Sequence, residues 1–516
     1  MTMTGHNQTA VIEFLSDPTS HGLAEVERID THISHLFLTG DRVFKLKRAV
    51  RLPYLDFSTP ARRLAACEAE LRLNRRTAPE LYLGLRRITE AEEGPEFDGD
   101  GALLDAVVEM RRFDQDALFD RMARRGALTS RHLDELATEI AQFHAGAEID
   151  TQADGAGIMA HVLKINAAGF RQDGFFSEAE ISRLCAAFES ALDGHAARLN
   201  ARARDGHVRR CHGDLHLRNI CLYEGRVRLF DCIEFNESLA TIDVLYDLAF
   251  LAMDLWHRGL RSAASRVVNR YCDMALSEED GFGLMPFFMA LRAAVRALVS
   301  ATQARTVARD RDELTHEARA YFDLAERLLA PGQARLVAVG GLSGSGKSTL
   351  AAALAPRLGR APGARVISSD RTRKAMFGTP PDQPLPPEAY GAEVSARIYA
   401  RIAERAERLL RDGVTVIADA VHERAEDRAR IETAARAAQA PFDGVWLCAP
   451  ADQLRARLLT RDPGASDADA DVLARQLDRA PAMTGWDRIA TTGSLADSLA
   501  AVLKRLGVPG HGRRAP

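Results

Sequence analysis

The sequence is poor in the residues on which several protein classes depend. Cysteine occurs seven times in 516 residues, at Cys67, Cys185, Cys211, Cys221, Cys232, Cys272 and Cys448, and no CxxC pair occurs. So sparse and odd a set excludes a disulfide scaffold and a cysteine-built zinc site, and points to reduced thiols in a cytoplasmic protein. Aromatic residues are 6%, with three tryptophans, and acids slightly outnumber bases, for a net charge of -4 and a pI near 6.5. A nucleic-acid surface asks for a basic surplus, so nucleic acid is not an expected partner. Met1 to Gly22 lacks a basic segment followed by an apolar core, and a signal peptide is not expected there. Gly283 to Ala301 is the most apolar stretch, but Arg292 and Arg296 interrupt it; a buried helix is expected rather than a membrane span.

What is present is ordinary globular composition, 46% hydrophobic and 27% charged. At roughly 100–200 residues per domain, the length accommodates two to four domains. His32 to Leu38 and Arg42 to Lys47 read as a hairpin turning at Thr39-Gly40-Asp41. Ser58-Thr59-Pro60 is a helix start, with the helix running past Cys67-Glu68-Ala69-Glu70 and stopping before Pro79. Leu103 to Met110 is a further strand. From about Asp114 to Leu329 helical spacing dominates, interrupted by a hairpin of Ile220–Tyr223 and Arg226–Phe230 around Glu224-Gly225. Pro331-Gly332-Gln333 then punctuates the chain. Beyond it the apolar runs Leu336–Val339, Arg365–Ser368, Val414–Ala418 and Gly444–Cys448 alternate with helical patterns, which predicts a parallel sheet with helices on both faces. The expected division is therefore residues 1–330, with a small lobe to about 112, and 331–516.

Gly341-Leu342-Ser343-Gly344-Ser345-Gly346-Lys347-Ser348 fits G-x-x-x-x-G-K-[ST] between a predicted strand and a helical stretch opening at Thr349. Glycines let backbone N–H groups close around an anion, and the helix N-terminus adds partial positive charge. Residues 341–349 are thus the expected ATP cradle, with Lys347 on the β- and γ-phosphates and Ser348 on Mg²⁺. Asp419 closes the strand Val414–Ala418 and is the expected second Mg²⁺ group. Asp370 ends Ser368-Ser369-Asp370 and is placed to orient or deprotonate an acceptor hydroxyl. For both acids a helix cap is the competing reading. Arg457 and Arg461, four apart on one helix, could close over the transferred phosphoryl, or form a solvated basic face.

A second constellation lies upstream. Cys211-His212-Gly213-Asp214-Leu215-His216-Leu217-Arg218-Asn219 precedes the hairpin and Asp231 follows it, giving H-x-D-x-x-x-x-N and then a strand-borne Asp. Asp214 would take or orient the acceptor proton, and Asn219 and Asp231 would hold Mg²⁺. His212 and His216 could ligate a metal only on a helix, which Gly213-Asp214 opposes.

The stretch from about Leu336 to Leu506 resembles P-loop small-molecule kinases of the gluconate-kinase and chloramphenicol-phosphotransferase type. His212 to Asn219 with Asp231, the run Phe230 to Asn236, Asp243 and Asp247-Leu248-Ala249 resemble the aminoglycoside phosphotransferase and choline kinase class, over about His32 to Leu329. The whole chain resembles bacterial fusions of the two. The resemblance implies an α+β protein-kinase-like bilobal domain followed by an α/β P-loop NTPase domain. It also implies that Lys45 meets the nucleotide phosphates, with Lys47 as alternative, and pairs with a helix acid, Glu68 first and Glu70 second. Val108-Glu109-Met110-Arg111 would be the adenine hinge. Two features depart from the pattern: no G-x-G-x-x-G precedes Lys45, where Gly40 stands alone, and the Asp motifs read Asp231-Cys232-Ile233 and His212-Gly213-Asp214. No arginine-finger arrangement of a hexameric motor is evident. The expected function is an ATP- and Mg²⁺-dependent phosphotransferase with two nucleotide sites acting on hydroxyls of small molecules. The alternative is a sensor with an active P-loop half and a ligand-binding pseudokinase half.

Overall fold

The computed structural model describes residues 2–3, 7–22, 24–52, 55–306, 311–380, 383–460, 466–479 and 485–508. The chain divides into two compact units, residues 1–162 with 195–254, and residues 163–194 with 255–516. By compactness, the helical segments on both sides of 194–255 group with the P-loop sheet.

The first unit is α+β, as expected. Its main sheet has six antiparallel strands: β1 (Glu27–Asp30), β2 (Ser34–Thr39), β3 (Arg42–Lys47), β4 (Tyr82–Ala91), β5 (Gly94–Phe97) and β6 (Leu103–Arg111), in the order β1-β2-β3-β6-β4-β5. β2 and β3 turn tightly, with Thr39 opposite Arg42 and Gly40 at φ 55°. Helix α1 (Pro60–Asn74) starts at Thr59, whose side chain accepts the Arg62 N–H, with Pro60 in its first turn. Farther on, β7 (Ile220–Tyr223) and β8 (Arg226–Leu229) form the expected hairpin. Glu224 and Gly225 both take positive φ, as a two-residue turn between right-twisted strands requires. Helix α2 (Val244–His257) follows.

The second unit contains α3 (Arg261–Met274), a 3-10 stretch Leu276–Leu284, and α4 (Met285–Thr306). Leu276–Arg305 is long and apolar enough to cross a membrane, but 72% of its most apolar window is buried inside the fold. Its sheet is parallel, as expected: β9 (Leu336–Gly341), β10 (Arg365–Ser368), β11 (Val416–Asp419), β12 (Phe442–Cys448) and β13 (Asp487–Ala490), ordered β10-β11-β9-β12-β13. Every residue of β9 is buried, which explains its unbroken apolar run. Chain order reverses at β9, and ligands of open parallel sheets bind at the carboxyl ends beside such a switch.

β10 is an edge strand, and Asn269 of α3 covers it. The Asn269 amide donates to the Ala364 carbonyl at 3.0 Å and accepts the Val366 N–H at 2.8 Å, imitating one rung of a ladder. Beside it the guanidinium of Arg365, wholly buried, donates to Asp273 at 2.7 Å and to Glu279 at 2.8 Å. A buried arginine needs such partners, because its charge cannot be left unpaired away from water. This is why residues 261–284 belong with the P-loop sheet. None of the seven cysteines is in a disulfide.

Candidate functional site

The phosphate loop bridges β9 and helix α5 (Lys347–Leu354), in the strand-loop-helix order expected. Gly341, Gly344 and Gly346 take φ of 138°, 80° and 90°. At Gly344 a Cβ would also stand 2.6 Å from the Leu454 carbonyl oxygen, so only glycine fits. The Lys347 ammonium donates to the Leu342 carbonyl at 3.0 Å across the loop. Ser348 Oγ donates to Asp419 Oδ2 at 2.7 Å. Asp419 is the last residue of β11 and no helix starts before Ala425, so it is not a cap. Burial raises its carboxyl above the usual range, against the pull of Lys347 and the Ser348 hydroxyl. Ser348 and Asp419 pair two oxygen groups at the foot of the loop, a set that suits a hard cation such as Mg²⁺.

A cavity of about 1240 Å³ opens over this loop, lined among others by residues 343–349, Asp370, Arg373, Asp419, Arg457 and Gln476. Asp370 lies in the first turn of helix α6 (Ser369–Met376), whose N-cap is Ser368, and faces this cavity. Arg373, one turn on, is nearly buried; it donates to the Ser395 hydroxyl at 3.3 Å, and its guanidinium lies 5.0 Å from the Tyr390 ring centre. Helix α7 (Ala392–Arg411) lies behind it, and α8 (Ala451–Leu459) carries Arg457, which donates to the Thr491 hydroxyl at 3.4 Å. Arg457 is therefore tied to the cavity wall; Arg461 lies outside the described residues. A third approach to the loop had no signal in the charge pattern: Gln476, on α9 (Ala470–Arg479), accepts the Ser343 N–H at 2.8 Å. His422 was also missed. It is buried three residues after Asp419, at φ 55°, with the Tyr399 and Trp486 rings 5.5 and 5.1 Å away. Burial pushes its imidazole down, to about 3.

The upstream constellation is built from side chains. Lys45 donates to Glu70 Oε1 at 2.8 Å and pairs with Asp231; Lys47 pairs with Glu70 and Glu234. Two lysines and three acids thus form one chain, Asp231–Lys45–Glu70–Lys47–Glu234. The helix acid is Glu70, not Glu68: Glu70 is wholly buried on the face of α1 that also presents Ala66, Cys67 and Leu73, whereas Glu68 is exposed. Burial alone would raise the Glu70 carboxyl, but Lys45 and Lys47 outweigh it and hold it down, to about 2. Asp231 sits in left-handed backbone at φ 64°, its N–H donated to the Tyr82 hydroxyl at 3.1 Å.

The loop before β7 is clasped from α2. Asp247 accepts the backbone N–H groups of His212 and Gly213 at 3.1 and 2.8 Å, and Asp254 accepts that of Leu217 at 3.0 Å. His212 Nε2–H donates to the Phe230 carbonyl at 2.9 Å, joining the loop to the strand that leads into Asp231. The Asn219 amide N–H donates to Asp214 Oδ2 at 2.9 Å, which leaves the Asn219 carbonyl oxygen for a cation. Asn219 and Phe230 share a 3.0 Å backbone bond at the base of the hairpin, so Asn219 and Asp231 flank it on either side. His212 and His216 do not lie on a helix, and His212 is a support. Val108 to Arg111 lies on β6, where Glu109 accepts from Arg42 at 2.7 Å.

Residues 336–483 match the family model described as an AAA domain. The match is centred on the P-loop sheet and covers no part of the first unit. Uncharacterized proteins of Mycobacterium tuberculosis and Mycobacterium bovis are 29% identical over 501 residues, 93% of this chain and 97% of theirs. Among solved structures, a gluconokinase from Sinorhizobium meliloti is 22% identical and covers 34% of this chain and 95% of its own, with a TM-score of 0.25. A choline/ethanolamine kinase family protein from Mesorhizobium loti is 15% identical and covers 62% and 94%, with a TM-score of 0.37.

Proposed function

We propose that the chain is an ATP-dependent phosphotransferase with two nucleotide sites, each passing the γ-phosphoryl of MgATP to a hydroxyl of a small molecule in the cytoplasm. The observation that carries this reading is the Ser348–Asp419 pair beneath a glycine-built loop that opens on a cavity wide enough for nucleotide and acceptor. Lys347 would stabilise charge on the transferring phosphoryl, Asp370 would orient the acceptor hydroxyl, and Mg²⁺ at Ser348 and Asp419 would neutralise the phosphate oxygens. In the upstream site Lys45, held by Glu70, would meet the phosphates. Asp214 would accept the acceptor proton, and Asn219 and Asp231 would supply oxygens to Mg²⁺.

A sensor with a pseudokinase first half is the second reading. What favours it is the tight turn at Gly40, which leaves no glycine loop over the phosphates, and the Lys45–Asp231 pair, which joins the two groups a nucleotide and its metal would separate. Calorimetry of MgATP binding to the intact chain and to Lys347→Ala separates the readings. Two sites falling to one supports the two-site enzyme. One site falling to none refutes it and leaves the sensor.

A further inference from the structure

The wall of the P-loop cavity that carries Asp370 is held from outside the P-loop sequence. Helix α6 presents Asp370 and Arg373 to the cavity and turns Arg371 and Thr372 the other way. Arg371 pairs with Asp273 at the end of α3. Arg405, on α7, donates to Thr372 Oγ1 at 2.8 Å and to Glu279 at 2.8 Å. Arg408 adds a 3.3 Å bond to Glu279. Asp273 and Glu279 also share the buried Arg365 that opens β10, so the start of β10 and the back of α6 meet the same two carboxylates. Burial would raise the Glu279 carboxyl, but Arg365 and Arg405 outweigh it and hold it down, to about 2.

Such a network fixes position because its charges are held against one another away from water. Arg365 and Glu279 are buried and the Asp273 side chain is 5% exposed; displacing a charge so enclosed is costly, so the helix they grip has one low-energy placement. A phosphoryl acceptor must be held to within a fraction of an ångström of the line of transfer, which makes the placement of α6 a kinetic quantity. We propose that Asp273 and Glu279 are positioning residues for the acceptor side of the P-loop site, acting through Arg371, and through Arg405 and Thr372, on the helix that carries Asp370. The proposal rests on the phosphotransfer reading of Asp370 given above. It assigns to residues 261–284, upstream of the P-loop domain, a part in its chemistry.

The test uses the full chain, MgATP as probe, and the fraction of ATP turnover that Lys347→Ala removes. Arg371→Gln is the first variant, since it leaves Arg365 with both carboxylates; Asp273→Asn is the second. In both, amide exchange over 369–376 is expected to speed up about tenfold while 347–354 keeps its protection. Turnover should fall about tenfold in kcat with KM for MgATP within about twofold, because the phosphate loop is untouched. Unchanged exchange over 369–376 in both variants overturns the proposal, as does a loss spread equally over kcat and KM. A loosened α6 with unchanged kcat also overturns it. Asp370→Asn then tells which idea failed: a lower rate there means positioning alone is refuted, whereas an unchanged rate means the role of Asp370 is refuted too.

Discussion

The two candidate phosphate sites of this chain are made from different materials. The P-loop site is made of backbone: three left-handed glycines, a helix N-terminus and a strand end, with one lysine and one serine-aspartate pair added. The upstream site is made of charged side chains drawn from β3, α1 and the stretch after β8, five of which neutralise one another along a single chain. Backbone donors keep their direction whether or not an anion is present, so the P-loop is formed in advance. Side-chain charges find partners when no ligand is there, so on the proposed reading nucleotide and metal would have to displace the Lys45–Asp231 pair upstream. A preformed site would bind without that exchange; the other would carry its cost in every binding event.

Substitutions can break or sharpen this contrast. The largest effect is expected for Gly344→Ala. A Cβ 2.6 Å from a backbone carbonyl, at φ 80°, forces the loop to move, and MgATP affinity at that site should fall by roughly a hundredfold or more while the upstream site keeps its own. Calorimetry would show it, and wild-type affinity would mean the cradle is not backbone-built. Next comes Glu70→Ala, which takes one of two carboxylate partners from each of two buried lysines and should cost about 2–3 kcal/mol in urea unfolding. Glu68→Ala, on the exposed face, should stay within about 0.5 kcal/mol. Equal losses would remove the distinction drawn between the two acids.

A smaller effect sits behind the P-loop. His422 is neutral in the folded state, at about 3, and protonates near 6.5 once unfolded. The unfolded state therefore binds the extra proton between those values, and stability falls as pH drops through 6.5. Between pH 7 and 5 the loss from this residue is about 2 kcal/mol. His422→Asn, which tolerates the left-handed backbone, should flatten that part of the pH profile; an unchanged slope would place the titration elsewhere. The smallest effect is expected for Gly40→Ala. The turn at φ 55° should cost about 1 kcal/mol, and MgATP stoichiometry should not change if Gly40 is a turn and not a phosphate loop.

The same contrast explains what could be read from the sequence. Glycine spacing fixes backbone geometry locally, so the phosphate loop, its strand and the Ser348–Asp419 pairing were legible. The hairpin that carries Asn219 and Asp231 was legible for the same reason, through its Glu224-Gly225 turn. The partner of Lys45 was not, because the buried face of α1 includes Arg63, Glu70 and Asn74, which erase the apolar stripe that sets helix phase. One local signal remained: Glu70 shares a face with Cys67, three residues earlier, and Glu68 does not. β13 was missed because Ile489 is the one residue of Asp487–Ala490 with a large apolar side chain. That residues 255–330 group with the P-loop sheet was not legible, because the pairs that join them, such as Asp273 with Arg365, lie 92 residues apart and no local pattern encodes them.

Asn269 has a consequence beyond the two candidate sites. A bare sheet edge is a template on which another chain can add a strand, and proteins protect such edges. Here the protecting group is one amide from a helix that precedes the P-loop sequence. A fragment cut at the proline-glycine punctuation near 331 would retain every strand of its sheet but expose β10 and the unpaired charge of Arg365. Such a fragment is expected to self-associate through that edge, so expressing the two halves as separate polypeptides would give a P-loop half that aggregates.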